Sequence, residues 1–183
     1  MTIEEIFSGI AEHMVKGLMV HEQLANYYDF LGLQGYKKCH ECHFFEESKT
    51  YRKLCHYYIK TYNKLIPEMR FENPEVIPVS WYQYTRQDVD IKTKRNAVQT
   101  GLNKWVSWER STLTMYQKMY KQLIELGEIA AAGMLMCIIN DVQNELQTAE
   151  KYQLNKVAID YDMAEIINEQ KILHHKYKNM IKN

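Results

Sequence analysis

The chain contains 183 residues, and its 23 lysines and arginines are balanced by 23 aspartates and glutamates. This length predicts one domain over 1–183, which can bury a sizeable core without disulfide or metal staples. The zero net charge argues against a broad polycationic nucleic-acid binder, and the 46% hydrophobic fraction argues against disorder. Because the chain has only three prolines and seven glycines, we expect long uninterrupted helices and an all-α protein.

Amphipathic periodicity predicts five helices in chain order. The first ends at Gly32, which suits the end of a helix, and the second ends before Pro67. Gly127 separates the third helix from the fourth, and a last amphipathic segment reaches almost to the C-terminus. The predicted ranges are 3–31, 36–66, 86–126, 128–155 and 158–181.

The connection between the second and third helices is unusually long, at roughly 18 residues. All three prolines lie in it, between positions 67 and 78, so we expect this stretch to be extended. Such a connection can run the length of the bundle, which makes the second and third helices parallel. This is the topology of two antiparallel hairpins joined by one long crossover.

Each of the first four helices carries a glutamate that interrupts its apolar face. Counting from the first turn places Glu22 level with Glu47, and counting from Gly127 places Glu109 level with Glu145. Four carboxylates at one buried level repel each other unless they bind cations or hold protons. A metal site built from facing helices resolves that repulsion.

Three segments resemble the ferritin-like superfamily of di-metal carboxylate bundles, over about residues 10–155. HEQLANYYDFLGL, with Glu22, is similar to the first helix of that superfamily. GLNKWVSWERSTLTMYQKMYKQLIEL, with Glu109, resembles its third helix, and CIINDVQNELQTAE, with Glu145, its fourth. The resemblance implies a ferritin-like four-helix bundle with an extra C-terminal helix, which forms a homo-oligomer. It also implies that carboxylates from four helices bind iron or manganese, with oxidase or iron-handling chemistry.

The second helix departs from the superfamily signature Glu-x-x-His, because Lys49 stands three residues after Glu46 and Thr50 three after Glu47. The expected histidine ligand is therefore missing. His43, one turn before Glu47, is a candidate replacement. Alternatively, the ammonium group of Lys49 takes the place of a metal ion as the balancing charge.

The fourth helix also lacks a clear second ligand, and Asp141, one turn before Glu145, is the candidate there. His21, beside Glu22, is a further candidate for the missing histidine. The predicted metal ligands are Glu22, Glu47, His43, Glu109 and Glu145. The alternative hypothesis is a bundle that has lost the metal and serves as a non-catalytic binding or structural protein, so whether the protein is an enzyme stays open.

A second metal-like motif, Cys39-His40-Glu41-Cys42-His43, has zinc-type spacing but no matching second pair of ligands. We therefore expect packed thiols and surface histidines at this position. The 14 tyrosines are the most unusual feature of the composition, and the predicted inner faces carry one each on four helices, at Tyr28, Tyr58, Tyr116 and Tyr152.

The N-terminal sequence MTIEEIFSGIAEHM has no basic region followed by a long apolar stretch, so we expect no signal peptide. No apolar stretch has the length that a membrane span requires. We therefore expect a cytoplasmic protein with reduced cysteines and no membrane partner.

Overall fold

The computed structural model describes residues 1–67, 69 and 72–180 of the chain. Its five long helices are α1 (Ile3–Phe30), α2 (Gln34–Tyr62), α3 (Ile91–Glu125), α4 (Ile129–Ala158) and α5 (Met163–Met180). Two short 3-10 helices, Val79–Gln83 and Arg86–Asp88, lie in the connection between α2 and α3. None of the described helices is both long enough and apolar enough to cross a membrane.

The first helix of each hairpin begins at a side-chain cap. At the start of α1, the Thr2 hydroxyl accepts a hydrogen bond from the Glu5 backbone N–H at 3.2 Å, and the Glu5 carboxylate accepts one from the Thr2 N–H at 2.7 Å. The Asp90 carboxylate caps α3 by accepting from the Thr93 N–H at 2.7 Å. The predicted start of α3 at residue 86 is therefore wrong, because the preceding residues form the second 3-10 helix instead.

The other helix ends follow from local backbone geometry. α2 ends at Tyr62 rather than at the predicted residue 66, because Asn63 takes the left-handed conformation with φ of 53°. α5 begins at Met163 rather than at 158, after a turn in which Asp160 and Tyr161 have φ of 48° and 53°. The predicted end at 181, and residues 68, 70 and 71 of the predicted extended stretch, lie outside the described residues.

The helices form two antiparallel hairpins, α1 with α2 and α3 with α4, and α1 also packs against α3. The long connection makes α2 and α3 parallel. α5 packs mainly against α2, where the Tyr36 backbone N–H donates to Gln170 Oε1 at 3.0 Å. The buried Lys156 of α4 forms an ion pair with Glu169 of α5, which fixes the fifth helix to the bundle.

Two apolar cores fill the bundle, one toward each end. Along α1, one core takes residues from Ile6 to Met14 and the other begins at Val20. Along α3, the cores meet between Val106 and Tyr116. Three of the predicted inner tyrosines, Tyr28, Tyr58 and Tyr116, are buried within these apolar cores, and Tyr152 is partly buried.

Candidate metal centre

Five ionisable side chains from all four bundle helices meet at the boundary between the two cores. His21 Nε2 of α1 lies 3.4 Å from Glu109 Oε1 of α3 and 3.7 Å from Glu47 Oε1 of α2. His43 Nδ1 of α2 lies 3.4 Å from Glu145 Oε1 of α4. Ligand atoms of His21, Glu109 and Glu145 all lie within 4.8 Å of one another, a spacing that suits a shared metal ion.

On α1 the inward residue is His21 and not Glu22. His21 is completely buried, whereas Glu22 is exposed and accepts a hydrogen bond from Asn26 one turn further along the same helix. The predicted inward position of Glu22 is therefore wrong. The signal that identifies His21 is a spacing of three and four residues along the buried face of α1, through Met14, Gly17, His21, Leu24 and Tyr28.

Gly17 makes room for the carboxylate of Glu47. A Cβ atom at residue 17 would lie 2.7 Å from both carboxylate oxygens of Glu47, closer than such atoms approach. This glycine therefore allows α2 to bring Glu47 against α1, one turn before His21. Glu47 itself is 18% exposed, so it lies at the edge of the cluster.

Trp105 orients the buried carboxylate on α3. Its Nε1–H donates to Glu109 Oε1 at 3.1 Å, one helical turn away, and Trp105 is fully buried. Its ring also meets the rings of His40 and His43 edge-on, with centroids 4.8 and 5.3 Å apart. The indole therefore fixes Glu109 and packs against the histidines of α2.

The cluster contains buried polar atoms with no hydrogen-bond partner among the described residues. They are Nε2 of His21, His40 and His43, and Oε2 of Glu47 and Glu109. Each unsatisfied buried group of this kind costs about 1–3 kcal/mol. Nε2 of His21 lies close to the carboxylates of Glu47 and Glu109, and these are donors of the kind that a transition-metal ion takes.

Burial disfavours the charged form of two carboxylates in the cluster. Burial, followed by the charge of Glu145, raises the pKa of Glu109 to about 8. Burial and the charges of Glu145 and Glu109 raise the pKa of Glu47 well above its usual range. Both carboxylates are therefore unstable as anions unless a positive charge lies beside them.

The histidines divide into two types. Burial and the charge of His43 lower the pKa of His21 to about 3, so His21 is neutral and offers a lone pair. Burial opposes charge on His43 as well, but its contacts with Cys39 and Glu145 outweigh burial and raise its pKa well above the usual range. Burial likewise opposes the charge of Glu145, but its contact with His43 outweighs burial and lowers its pKa.

A cavity of about 320 Å³ reaches the cluster from the flank of the bundle. Glu47 and Glu145 line it, and so do Thr112 and Tyr116 of α3. Glu47 and Glu145 are 18% and 21% exposed, whereas His21 and Glu109 on the other side are 0% and 1% exposed. Solvent therefore approaches the cluster from the α2 and α4 side.

Lys49 and Asp141 do not join the cluster. Lys49 is 55% exposed and pairs with Glu46, itself 52% exposed, at 3.0 Å. The hypothesis that its ammonium group balances the buried carboxylates is therefore wrong. Asp141 is exposed and lines the cavity, in which Glu145 is the deeper carboxylate of α4.

In the cysteine–histidine motif, the structure agrees with the prediction for the two cysteines and contradicts the prediction for the two histidines. Cys39 and Cys42 are buried and free, as expected for packed thiols. The expectation of surface histidines is wrong, because His40 is completely buried and His43 is 14% exposed. The bundle closes over this face of α2 with Trp105 and Tyr28, which the sequence of α2 alone does not reveal.

Comparison with known proteins identifies the fold. No family description and no curated protein matches the sequence. Among solved structures, an open-pore ferritin from the hyperthermophilic archaeon Archaeoglobus fulgidus matches 93% of this chain and 94% of its own, with a TM-score of 0.77 and 13% identity. A closed form of the same ferritin, engineered by site-directed mutagenesis, matches 95% of this chain and 96% of its own, with a TM-score of 0.75 and 14% identity. The predicted ferritin-like four-helix bundle with a long crossover is thereby confirmed.

Proposed function

We propose that this ferritin-like bundle binds iron or manganese through His21, Glu109 and Glu145, with Glu47 completing the site and His43 holding Glu145 in an ion pair. The observation that carries the proposal is the convergence of ligand atoms of His21, Glu109 and Glu145, from α1, α3 and α4, within 4.8 Å of one another, with an unpaired buried oxygen of Glu47 on α2. Imidazole and carboxylate together suit first-row transition metals, whereas Ca²⁺ and Mg²⁺ prefer oxygen ligands alone.

The residues fit such an ion in number and in charge. Burial opposes the ionisation of Glu47 and Glu109, and a divalent cation supplies the compensation, while Glu145 is already paired with His43. When bound, iron would supply one-electron chemistry with O₂ or peroxide. The chain's own part is to hold Glu109 through Trp105, to present His21 as a neutral ligand, and to leave the cavity beside Glu47 and Glu145 open to small solutes.

The alternative hypothesis, a bundle without metal, rests on the missing Glu-x-x-His motif. The position of Lys49 weakens it, because a lysine on the surface does not offset the buried charges. His43, four residues before Glu47, also supplies an imidazole on the cluster side of α2. We therefore favour the metal-binding protein over the metal-free one.

The test compares Glu109→Gln with Glu22→Gln, two changes of the same chemistry on a buried and an exposed glutamate. Protein purified without chelator is measured by elemental analysis, and ferrous iron is then titrated into metal-depleted protein under anaerobic conditions. We expect wild type and Glu22→Gln to bind iron or manganese alike, and Glu109→Gln to lose at least tenfold in affinity. Wild-type protein that binds neither metal, or equal binding by Glu109→Gln, would overturn the proposal.

The same samples test the chemistry and the assembly. Exposure of the ferrous-loaded protein to O₂, followed with a ferrous-specific chelator, measures oxidation at the site. We also propose that the protein forms a homo-oligomer, which light scattering of the purified chain measures. A monomer or dimer would exclude iron storage in a shell and leave oxidation or metal binding as the function.

A further inference from the structure

His21 has a second buried histidine as its partner. Nδ1 of His21 lies 3.0 Å from Nδ1 of His40, and both residues are 0% exposed. Their rings are nearly parallel, with centroids 5.3 Å apart and an interplanar angle of 28°. Two imidazole nitrogens at this distance form a hydrogen bond when one carries a proton and the other offers a lone pair.

The metal site decides which nitrogen carries the proton. Nε2 of His21 is the atom that faces Glu47 and Glu109, so it is the atom available to a metal ion. A neutral imidazole that coordinates through Nε2 carries its proton on Nδ1. Nδ1 of His40 must then accept that proton's hydrogen bond, and the proton of His40 must lie on its own Nε2.

We propose that His40 is a positioning residue that fixes the tautomer and ring orientation of His21 for metal binding. The inference rests on the proposed function, because it assigns His40 a role at the same site. A metal-binding histidine usually donates its second N–H to a carboxylate, a backbone carbonyl or water. Here a neutral imidazole takes that place.

The surroundings of His40 suit an acceptor that stays neutral. The Tyr28 ring stacks on it with centroids 5.4 Å apart and an interplanar angle of 5°, and the Trp105 ring meets it edge-on at 4.8 Å. In the part of the chain that the structure describes, no carboxylate forms a hydrogen bond or ion pair with His40. The aromatic walls therefore hold the ring in place without drawing a second proton onto it.

Nuclear magnetic resonance of nitrogen-15-labelled protein tests the pairing directly. In the metal-free wild type we expect a scalar coupling between Nδ1 of His21 and Nδ1 of His40, which arises only across a hydrogen bond. With Zn²⁺ as a diamagnetic probe, we expect Nδ1 of His21 to be protonated and Nδ1 of His40 to be unprotonated. Absence of the coupling, or the opposite tautomers in the Zn²⁺ form, would contradict the inference.

Three variants then separate positioning from packing. His40→Asn places a side-chain oxygen near the former Nδ1, His40→Gln places one near the former Nε2, and His40→Leu removes the acceptor. We expect the Kd for Zn²⁺ to rise about 10–100-fold in His40→Leu and in His40→Gln, and His40→Asn to recover most of the loss. Circular dichroism confirms that each variant is folded.

The outcomes distinguish this inference from the proposed function. Unchanged affinity in folded His40→Leu, or equal affinities of His40→Asn and His40→Gln, overturns the role of His40 while the metal site stands. Wild-type protein that binds Zn²⁺, iron and manganese at no measurable level overturns the metal site and, with it, the role of His40. If no variant folds, the tautomers of His21 and His40 in the wild-type protein still test the inference.

Discussion

The two hairpins of the bundle contribute unequally to the candidate metal centre. The α1–α2 hairpin supplies His21, His43 and Glu47, and it also supplies His40 behind them. The α3–α4 hairpin supplies two carboxylates, Glu109 and Glu145, and no imidazole. The first hairpin therefore supplies all the imidazoles and one carboxylate of the cluster, and the second supplies the other two carboxylates.

In the proposed site, the imidazoles and carboxylates are distributed unevenly over the four helices. A bundle has several inward positions at the level of the site, and any helix can supply an imidazole there if its neighbours make room. In this chain α1 supplies one at His21, and α2 supplies another four residues before Glu47. The fold fixes the level of the site, and the residues that pack around it fix the donors.

The largest effect is expected where the second hairpin packs against the histidines of the first. Trp105→Ala removes a fully buried indole that contacts both His40 and His43 and donates to Glu109. We expect the free energy of unfolding to fall by about 3–5 kcal/mol. Urea denaturation measures the loss, and a change below about 1 kcal/mol would contradict this packing.

Trp105→Phe is the matched control for that experiment. It keeps an aromatic ring in the core but removes the N–H that Glu109 accepts. We expect a smaller loss of about 1–3 kcal/mol, because one buried acceptor loses its partner. Equal losses for alanine and phenylalanine would show that the hydrogen bond within α3, rather than the contacts of the ring with the histidines of α2, accounts for the stabilisation.

The next effect concerns the donors of the first hairpin. Gly17→Ala places a methyl group 2.7 Å from the Glu47 carboxylate oxygens and forces that side chain to move. We expect the Kd for ferrous iron, measured by anaerobic titration, to rise about tenfold, which corresponds to roughly 1.4 kcal/mol. An unchanged Kd would mean that Glu47 binds no metal.

Gly133→Ala is the control for the glycine change. Gly133 is an exposed glycine of α4, and a Cβ atom there meets nothing within 4 Å. The substitution should stabilise the helix by about 0.5–1 kcal/mol and leave the Kd unchanged. The pair therefore separates the loss of space beside Glu47 from the general effect of alanine in a helix.

A pH-dependent effect is expected at His13, on α1 and away from the cluster. Burial, with a smaller contribution from Lys16, lowers the pKa of His13 to about 4 from an ordinary 6.5. Below pH 6.5 the unfolded chain therefore binds more protons than the folded one, so stability is lost as the pH falls from 6.5 through 4. We expect this residue to contribute about 1–3 kcal/mol of that loss.

His13→Gln is the variant that measures this contribution. Glutamine does not titrate and can still reach the Thr112 hydroxyl, to which His13 Nε2 is hydrogen-bonded at 2.7 Å. Denaturation curves at pH 7 and pH 4.5 should show a smaller acid loss in the variant than in wild type. Equal losses of stability between pH 7 and pH 4.5 in the two proteins would show that groups other than His13 cause the acid sensitivity.

The smallest effect is expected at the helix caps, where the two hairpins are alike. Asp90→Ala removes the cap of α3 and should cost about 1 kcal/mol, whereas Asp90→Asn keeps an acceptor and should cost only a few tenths. Thermal unfolding of the two variants measures the difference. Equal unfolding temperatures would show that packing, and not the cap, fixes the start of α3.

Prediction from sequence succeeded best on the second hairpin. Glu109 and Glu145 lie on α3 and α4 at matched distances from the turn at Gly127, and both enter the cluster. Helix rise alone sets this depth, so counting residues from the turn is sufficient. On the first hairpin the same counting gave the correct level but the wrong residue, because Glu22 and His21 are neighbours about 100° apart around the helix.

Local signals in the sequence were enough to predict the helices, the two hairpins, the long crossover and the polar centre of the bundle. These depend on periodicity, on glycine and proline positions and on helix rise, which are local properties. The inward side of α1, with His21, follows from the spacing of its own buried residues, whereas the space that Gly17 leaves for Glu47 and the burial of His40 behind the cluster depend on packing between helices. Contacts of this kind are made by side chains from different helices, and no single segment contains that information.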